Sequence, residues 1–429
     1  MNQLRKEFEV FLRCSRSMQV LMVSNMIYAL VLPVIEVFVA AYVMRNSHAV
    51  SKVVTYQLSI YAATPLAFYL NGKLLGRVGA KHLYAAGMVL SGAAMMLMMQ
   101  LSILTPIGVA TSGFTMGLAT GIFWANRGYL ALTATNDGNR NYYYGLENFM
   151  ASLAAVAVPA LIGFFISGTA LYGWLGGVAN RAYHIIAFVV FGLTILSAAI
   201  LERGTFRNPQ RTRFVFFHFH VLWQRMLQLA LLKGLAQGYI VTAPAMLIML
   251  LVGQEGTLGT TQAIGGVFSA CLLYLAGRMA APRHRILVFS CGLILFFLGA
   301  VTNTLLFNAV GVIVFIGCLL LAKPLLDLAY YPIQLQVVDV VSHIEGRNEY
   351  AYIFNHEFGL FLGRSLGCCL FLGIAYWGSD IAALKYALPV IALLQLLSIR
   401  VAGQIQRGLT AAGNSTSPAV SHTVTTMEA

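Results

Sequence analysis

Charge is what this chain has least of. Only 10% of its 429 residues are Asp, Glu, Lys or Arg, and acids are the scarcer kind, 14 against 27 Lys and Arg. A soluble globule of this length needs far more charge to cover its surface, so a water-soluble domain is excluded. Cysteine is sparse as well. The six, Cys14, Cys271, Cys291, Cys318, Cys368 and Cys369, fall in no loop assigned to the outside, which argues against a disulfide framework, and no zinc spacing occurs. A cleavable leader is missing too: the charged start, Met1 to Arg16, runs into a hydrophobic segment long enough to span and without a small-residue cleavage site. No nucleophile with a base, no metal cluster and no carboxylate pair stands out, so neither an enzyme nor a cofactor is expected.

What the chain has is hydrophobic length. Hydrophobic residues make up 59% of it, with a mean hydropathy of +0.78. Apolar runs of the length a bilayer demands lie at 18–43, 53–71, 83–104, 107–132, 143–168, 183–201, 222–251, 258–279, 286–306, 309–336, 350–376 and 382–400. The expected fold is an all-α polytopic membrane protein of twelve transmembrane helices in two pseudo-symmetric six-helix bundles. Residues 1–201 form the first bundle, 202–221 a cytoplasmic linker, 222–407 the second bundle and 408–429 a disordered, polar cytoplasmic tail. A repeat supports the division. Phe123 to Asn148 matches Tyr330 to Asn355 without a gap, and both copies pass from one span through a polar turn into the next.

Lys and Arg divide unevenly between the two sides of this topology. Eighteen fall on one side and only Arg45, Lys52, Arg181 and Lys385 on the other, the remaining five, Arg127, Arg225, Lys233, Lys323 and Arg364, lying within or at the ends of spans. By the positive-inside rule both termini and the linker are cytoplasmic, and the protein belongs in the cell's inner membrane. The net charge of +13 is therefore topological, and no nucleic-acid partner is expected.

The connector between spans two and three, Gly72 to Lys81, resembles the loop motif of the major facilitator superfamily, G-x-x-x-D-R-x-G-R-R/K. Gly72, Arg77, Gly79 and Lys81 fit; Gly76 stands where that family usually has Asp, and Ala80 where it has Arg. The resemblance implies secondary transport: two halves rocking about a midplane site. In the family the Asp latches the outward-open state, so the latch is altered here. Span five keeps Pro159 and Gly163 but has Val158 and Ile162 where the drug/proton antiporters carry glycine, which argues against drug efflux.

Ionisable groups at membrane depth are costly and mark the site. In span one, Asn25, Tyr28 and Glu36 follow helical spacing, with Pro33 expected to kink the helix near the acid. In span ten, Lys323, Asp327, Tyr330 and Tyr331 form a stripe in which Lys323 and Asp327 can pair at i, i+4. Glu357 and Arg364 share a face of span eleven, and Lys233 lies deep in span seven. Trp124, Arg127, Glu147 and Asn148 lie near the inner mouth of one half, with Asn355 at the matching place in the other, and Arg127 and Glu147 are expected to pair. Glu36 and Asp327 are the candidates for proton coupling, and the others for substrate binding or gating.

The expectation is a monomer in the lipid bilayer that moves a small polar organic solute with H+. Two alternatives stay open. One is a transporter-like sensor without transport. The other is a copper importer using the Met18, Met22 and Met26 ladder.

Overall fold

The computed structural model describes residues 11–75, 77–101, 103–135, 140–207, 216, 218–253, 255–279, 285–347 and 349–416. Its secondary structure is helical. The first half holds α1 (Arg16–Ala29), α2 (Leu32–Ser47), α3 (Val50–Leu74), α4 (Ala80–Met99), α5 (Pro106–Ala134), α6 (Arg140–Leu171) and α7 (Ala179–Glu202). The second holds α8 (Val221–Ile240), α9 (Ala243–Leu251), α10 (Glu255–Met279), α11 (Arg285–Leu306), α12 (Ala309–Glu345), α13 (Glu349–Trp377), α14 (Asp380–Gln395) and α15 (Leu397–Thr416).

Among the described residues, 10 helical segments are long and apolar enough to cross a membrane. The expected spans 53–71 and 258–279 fall in α3 and α10, outside those ten. Both helices are diluted by polar residues, Gln57, Thr64 and Asn71 in one and Thr260, Thr261 and Gln262 in the other. Their position accounts for this: α3 packs on α13 and α10 on α6, so both helices join one half to the other and have protein neighbours where a lipid-facing helix has none.

The packing of each half repeats in the other. In the first half α3 packs on α5, α4 on α5 and α7, and α1 on α6; the equivalents are α10 on α12, α11 on α12 and α14, and α8 on α13. The two copies of the sequence repeat lie at matching places, one crossing from α5 into α6 and the other from α12 into α13. Close approach rests on small residues. A Cβ on Gly117 would overlap the Ile60 carbonyl of α3, and one on Gly363 the Leu231 carbonyl of α8.

The opening span of each half is broken, and at the same relative place. α1 ends at Ala29 and α2 resumes with Pro33 in its first turn; α8 ends at Ile240 and α9 resumes with Pro244 in its first turn. Proline lacks the N–H that would continue the ladder, so it starts the second segment well and cannot sit mid-helix without cost. Segments α2 and α9 pack against each other across the halves.

Met18 and Met22 are buried in the apolar core, and Met26 packs against it partly buried. Helix α15 runs to Thr416 with Ala402, Ile405 and Leu409 against Leu222 and Trp223, so the start of the expected tail is helical. Residues 417–429 lie outside the described residues.

Candidate functional site

In the first half, three helices converge on one carboxylate and a fourth bonds a neighbour of it. Glu147 of α6, 8% exposed, receives Arg127 of α5 at 2.8 Å and the Asn25 amide of α1 at 2.8 Å. Asn25 also donates to the Tyr143 hydroxyl (2.9 Å), and Tyr84 of α4 donates to the Asn25 carbonyl oxygen (2.9 Å). Arg127 lies over the Trp124 ring, 5.1 Å from its centroid. Every polar atom of Asn25 that could be left dry is therefore used, which is what burial requires. Asn126 donates to Asn71 at 2.6 Å and ties α5 to α3 beside this cluster.

In the second half, a longer chain of groups joins α8, α12 and α13. Lys233 donates to Asp327 at 2.9 Å, with its ammonium 3.8 Å from the Tyr330 ring and 4.1 Å from that of Tyr331. Two π faces and one carboxylate compensate an ammonium that could otherwise not stay at this depth. The Tyr330 hydroxyl shares a 2.6 Å hydrogen bond with His356, whose other ring nitrogen lies 3.9 Å from Glu357. Glu357 stands 3.7 Å from Arg364, and Arg364 donates twice to the Gln237 side-chain oxygen, at 3.1 and 3.0 Å.

Between the halves the contacts are polar but uncharged in pairing. At mid-depth the Tyr61 hydroxyl of α3 donates to the Gln237 carbonyl (3.1 Å), and Arg364 lies 5.3 Å from the Tyr61 ring. At the end of the bundle away from the basic loops, the Ser51 N–H and hydroxyl donate to Asp380 at 3.1 and 3.2 Å. Toward the basic end, Phe68 and Ala125 of one half meet Phe354 of the other.

Most of the expected site residues come together, with changed partners. Arg127 and Glu147 pair, and so do Glu357 and Arg364. Lys323 does not pair with Asp327. The acid bonds Lys233 on the facing helix, and Lys323 stands solvent-accessible without an ion-pair partner among the described residues. Asn25 and Tyr28 do not share a face with Glu36, because the break after Ala29 resets the register. Tyr28 is buried and bonded to Ser91 at 2.9 Å, whereas Glu36 is accessible. Asn355 accepts from the Trp223 indole at 2.9 Å, away from the tyrosine pair, and the side chain of Asn148 lies outside the described residues. Tyr61, Tyr84, Tyr143 and Gln237 were not expected. An aromatic or an amide on an apolar helix gives no sign in sequence of which face it takes.

The loop motif supplies a contact of its own. Gly79 caps the start of α4, and Lys81 reaches the Glu202 carboxylate at the end of α7 at 3.3 Å and the Glu202 and Gly204 carbonyls at 3.2 and 3.3 Å. His82 adds a 2.7 Å contact to Glu202. The carboxylate missing at Gly76 thus has a counterpart on α7, within the same half. Gly72 closes the last turn of α3, and Arg77 projects into solvent.

No family model matches the chain. A protein of Bacillus subtilis (strain 168), described as uncharacterized protein YqgE, is 25% identical over 365 residues, which is 81% of this chain and 80% of that protein. Among solved structures, the crystal structure of a POT family transporter in complex with 5-aminolevulinic acid superposes with a TM-score of 0.63. It covers 91% of this chain and 96% of its own at 11% identity. At that identity the likeness is one of fold: the chain shares the all-helical fold of that transporter.

Proposed function

We propose that this protein is a secondary active transporter that moves a small polar organic solute across the cytoplasmic membrane by alternating access, coupled to protons. One observation carries the reading. Each half keeps its own membrane-depth ion pairs, Arg127–Glu147 in the first and Lys233–Asp327 and Arg364–Glu357 in the second, and among the described residues no salt bridge joins the halves. Halves built this way can rock without stranding a buried charge, which is the costly event in a low-dielectric medium. Short contacts such as Tyr61–Gln237 and Ser51–Asp380 can form and break in water for little.

Of the two acids considered for coupling, Asp327 suits the task better. Its protonation frees a neighbouring ammonium held against two tyrosines, so one proton changes the state of a whole cluster. Glu36 has no ion-pair partner to release among the described residues. The fold relation to a transporter complexed with 5-aminolevulinic acid, itself a small polar solute, agrees with this reading. The uneven distribution of Lys and Arg supports cytoplasmic termini.

The test is unbiased uptake. Proteoliposomes holding the purified protein are exposed to a metabolite extract under an imposed proton gradient, and the lumen is read by mass spectrometry. Enrichment of a polar solute that collapses with the gradient is the expected result. A lumen identical to that of empty liposomes would contradict transport, and a ligand that binds without entering would favour the sensor.

A further inference from the structure

Among the described residues, three pairs of a Lys or Arg with an acid lie at membrane depth, and one of them is open. Arg127 meets Glu147 at 2.8 Å and Lys233 meets Asp327 at 2.9 Å, both hydrogen-bonded, whereas Arg364 stands 3.7 Å from Glu357, too far for a hydrogen bond. Glu357 is no closer to His356, 3.9 Å away, whose other ring nitrogen is shared with Tyr330.

One edge of the Arg364 guanidinium, Nε with a terminal nitrogen, goes instead to Gln237, whose single amide oxygen takes both N–H groups at 3.1 and 3.0 Å. That edge is a pair of parallel donors shaped for the two oxygens of a carboxylate, and bonds to a carboxylate are shorter and roughly twice as strong as neutral ones. Gln237 brings one oxygen and no charge. The best edge of a cation near the middle of the span Phe354–Trp377 is thus held by a partner that a carboxylate can displace.

The place is rigid and lies where the halves meet. Helices α8 and α13 cross so closely that a Cβ on Gly238 would stand 2.3 Å from the Arg364 carbonyl oxygen, which fixes the backbone of the guanidinium against the helix of Gln237. Tyr61 of α3 donates to the Gln237 carbonyl at 3.1 Å, and the guanidinium lies 5.3 Å from the Tyr61 ring. Arg364, Gln237 and Glu357 are each partly exposed, so a solute can reach all three.

We infer that the transported solute carries a carboxylate and binds by it to Arg364, its two oxygens taking the edge that Gln237 now occupies. This rests on the transport reading above and narrows it to a substrate class. Glu357 compensates the guanidinium when the site is empty and competes with the solute when it is full, because two carboxylates then share one cation. A carboxylate at that edge lies beside the Tyr61 contact, so its binding bears on both halves.

The test uses the full-length protein in detergent and four acids, lactate, succinate, benzoate and leucine, each beside its amide, which keeps the shape and removes the negative charge. Binding is read by thermal stabilisation and titration. At least one acid is expected to bind about ten- to hundredfold more tightly than its amide, the difference that a charge-assisted contact makes. Arg364→Gln should remove that preference. Arg364→Lys keeps the charge but loses the parallel donors and should weaken acid binding about tenfold, which guards against a folding artefact. Glu357→Gln should strengthen acid binding about tenfold, since it removes the competing charge; a purely structural ion pair predicts no such gain.

The inference is overturned if every amide binds as tightly as its acid, if none of the four acids binds, if either Arg364 variant keeps the native preference, or if Glu357→Gln binds acid no more tightly than the native protein. Failure of the transport reading looks different, since the metabolite extract then yields no accumulated solute while acids still bind at Arg364. Accumulation of a solute without a carboxylate would leave that reading intact and sink this one.

Discussion

Glu147→Gln lowers the stability of the purified protein by about 3–5 kcal/mol, the cost of breaking a buried ion pair from one side. Arg127 is left without its carboxylate, and Asn25 loses the stronger of its two acceptors. The effect spreads over α1, α4, α5 and α6, because α1 and α5 bond the carboxylate on α6 and Tyr84 of α4 bonds Asn25. Arg127→Gln combined with Glu147→Gln should cost less than Glu147→Gln alone, since an amide pair strands no charge. Thermal unfolding of the three variants checks this. Additive losses in the double variant would show that the pair contributes nothing as a pair.

Asp327→Asn abolishes gradient-driven accumulation of the solute found in the uptake assay, and leaves exchange between preloaded and external solute. The amide cannot carry the proton, and it neutralises the partner of Lys233 permanently. Lys233→Met should also uncouple, through the opposite defect: an acid without its base. The double variant, Lys233→Met with Asp327→Leu, should recover the thermal stability lost by either single change while remaining uncoupled. Counterflow and gradient-driven uptake measured side by side separate the two activities. Normal accumulation by Asp327→Asn would remove the acid from the coupling path.

How much of this was legible in the sequence depends on how local the deciding interaction is. The ten long apolar helical segments among the described residues follow from hydrophobic length, which no later packing event can reverse. The pair Arg127–Glu147 was legible because both residues fall in the same third of consecutive spans. Glu357 and Arg364 were legible because two turns of one helix bring them to one face.

Lys323 was misread for the converse reason. Spacing along a helix offered it Asp327, but the acid bonds Lys233, 94 positions away in sequence, where two tyrosine rings also hold the ammonium. A local pair competes poorly against a partner that brings its own compensation, and only the fold shows that partner. The break at Val241 and Thr242 was equally hidden, since Pro33 was visible as a kink but its counterpart Pro244 acquires meaning only when the halves are superposed. Polar dilution of α3 and α10 could be read from composition, but not its cause, which is their place between the halves.

The central claim is that two internally mated halves rock against each other around the solute. Distance measurement between spin labels at the two ends of the bundle tests it directly. One pair joins Ile107 and Trp377 at the end away from the basic loops, and the other joins Val78 and Ile344 at the basic end; all four positions are exposed. Adding the accumulated solute under a proton gradient should change the two distances in opposite senses. Distances that stay fixed, or that lengthen and shorten together, would contradict the account.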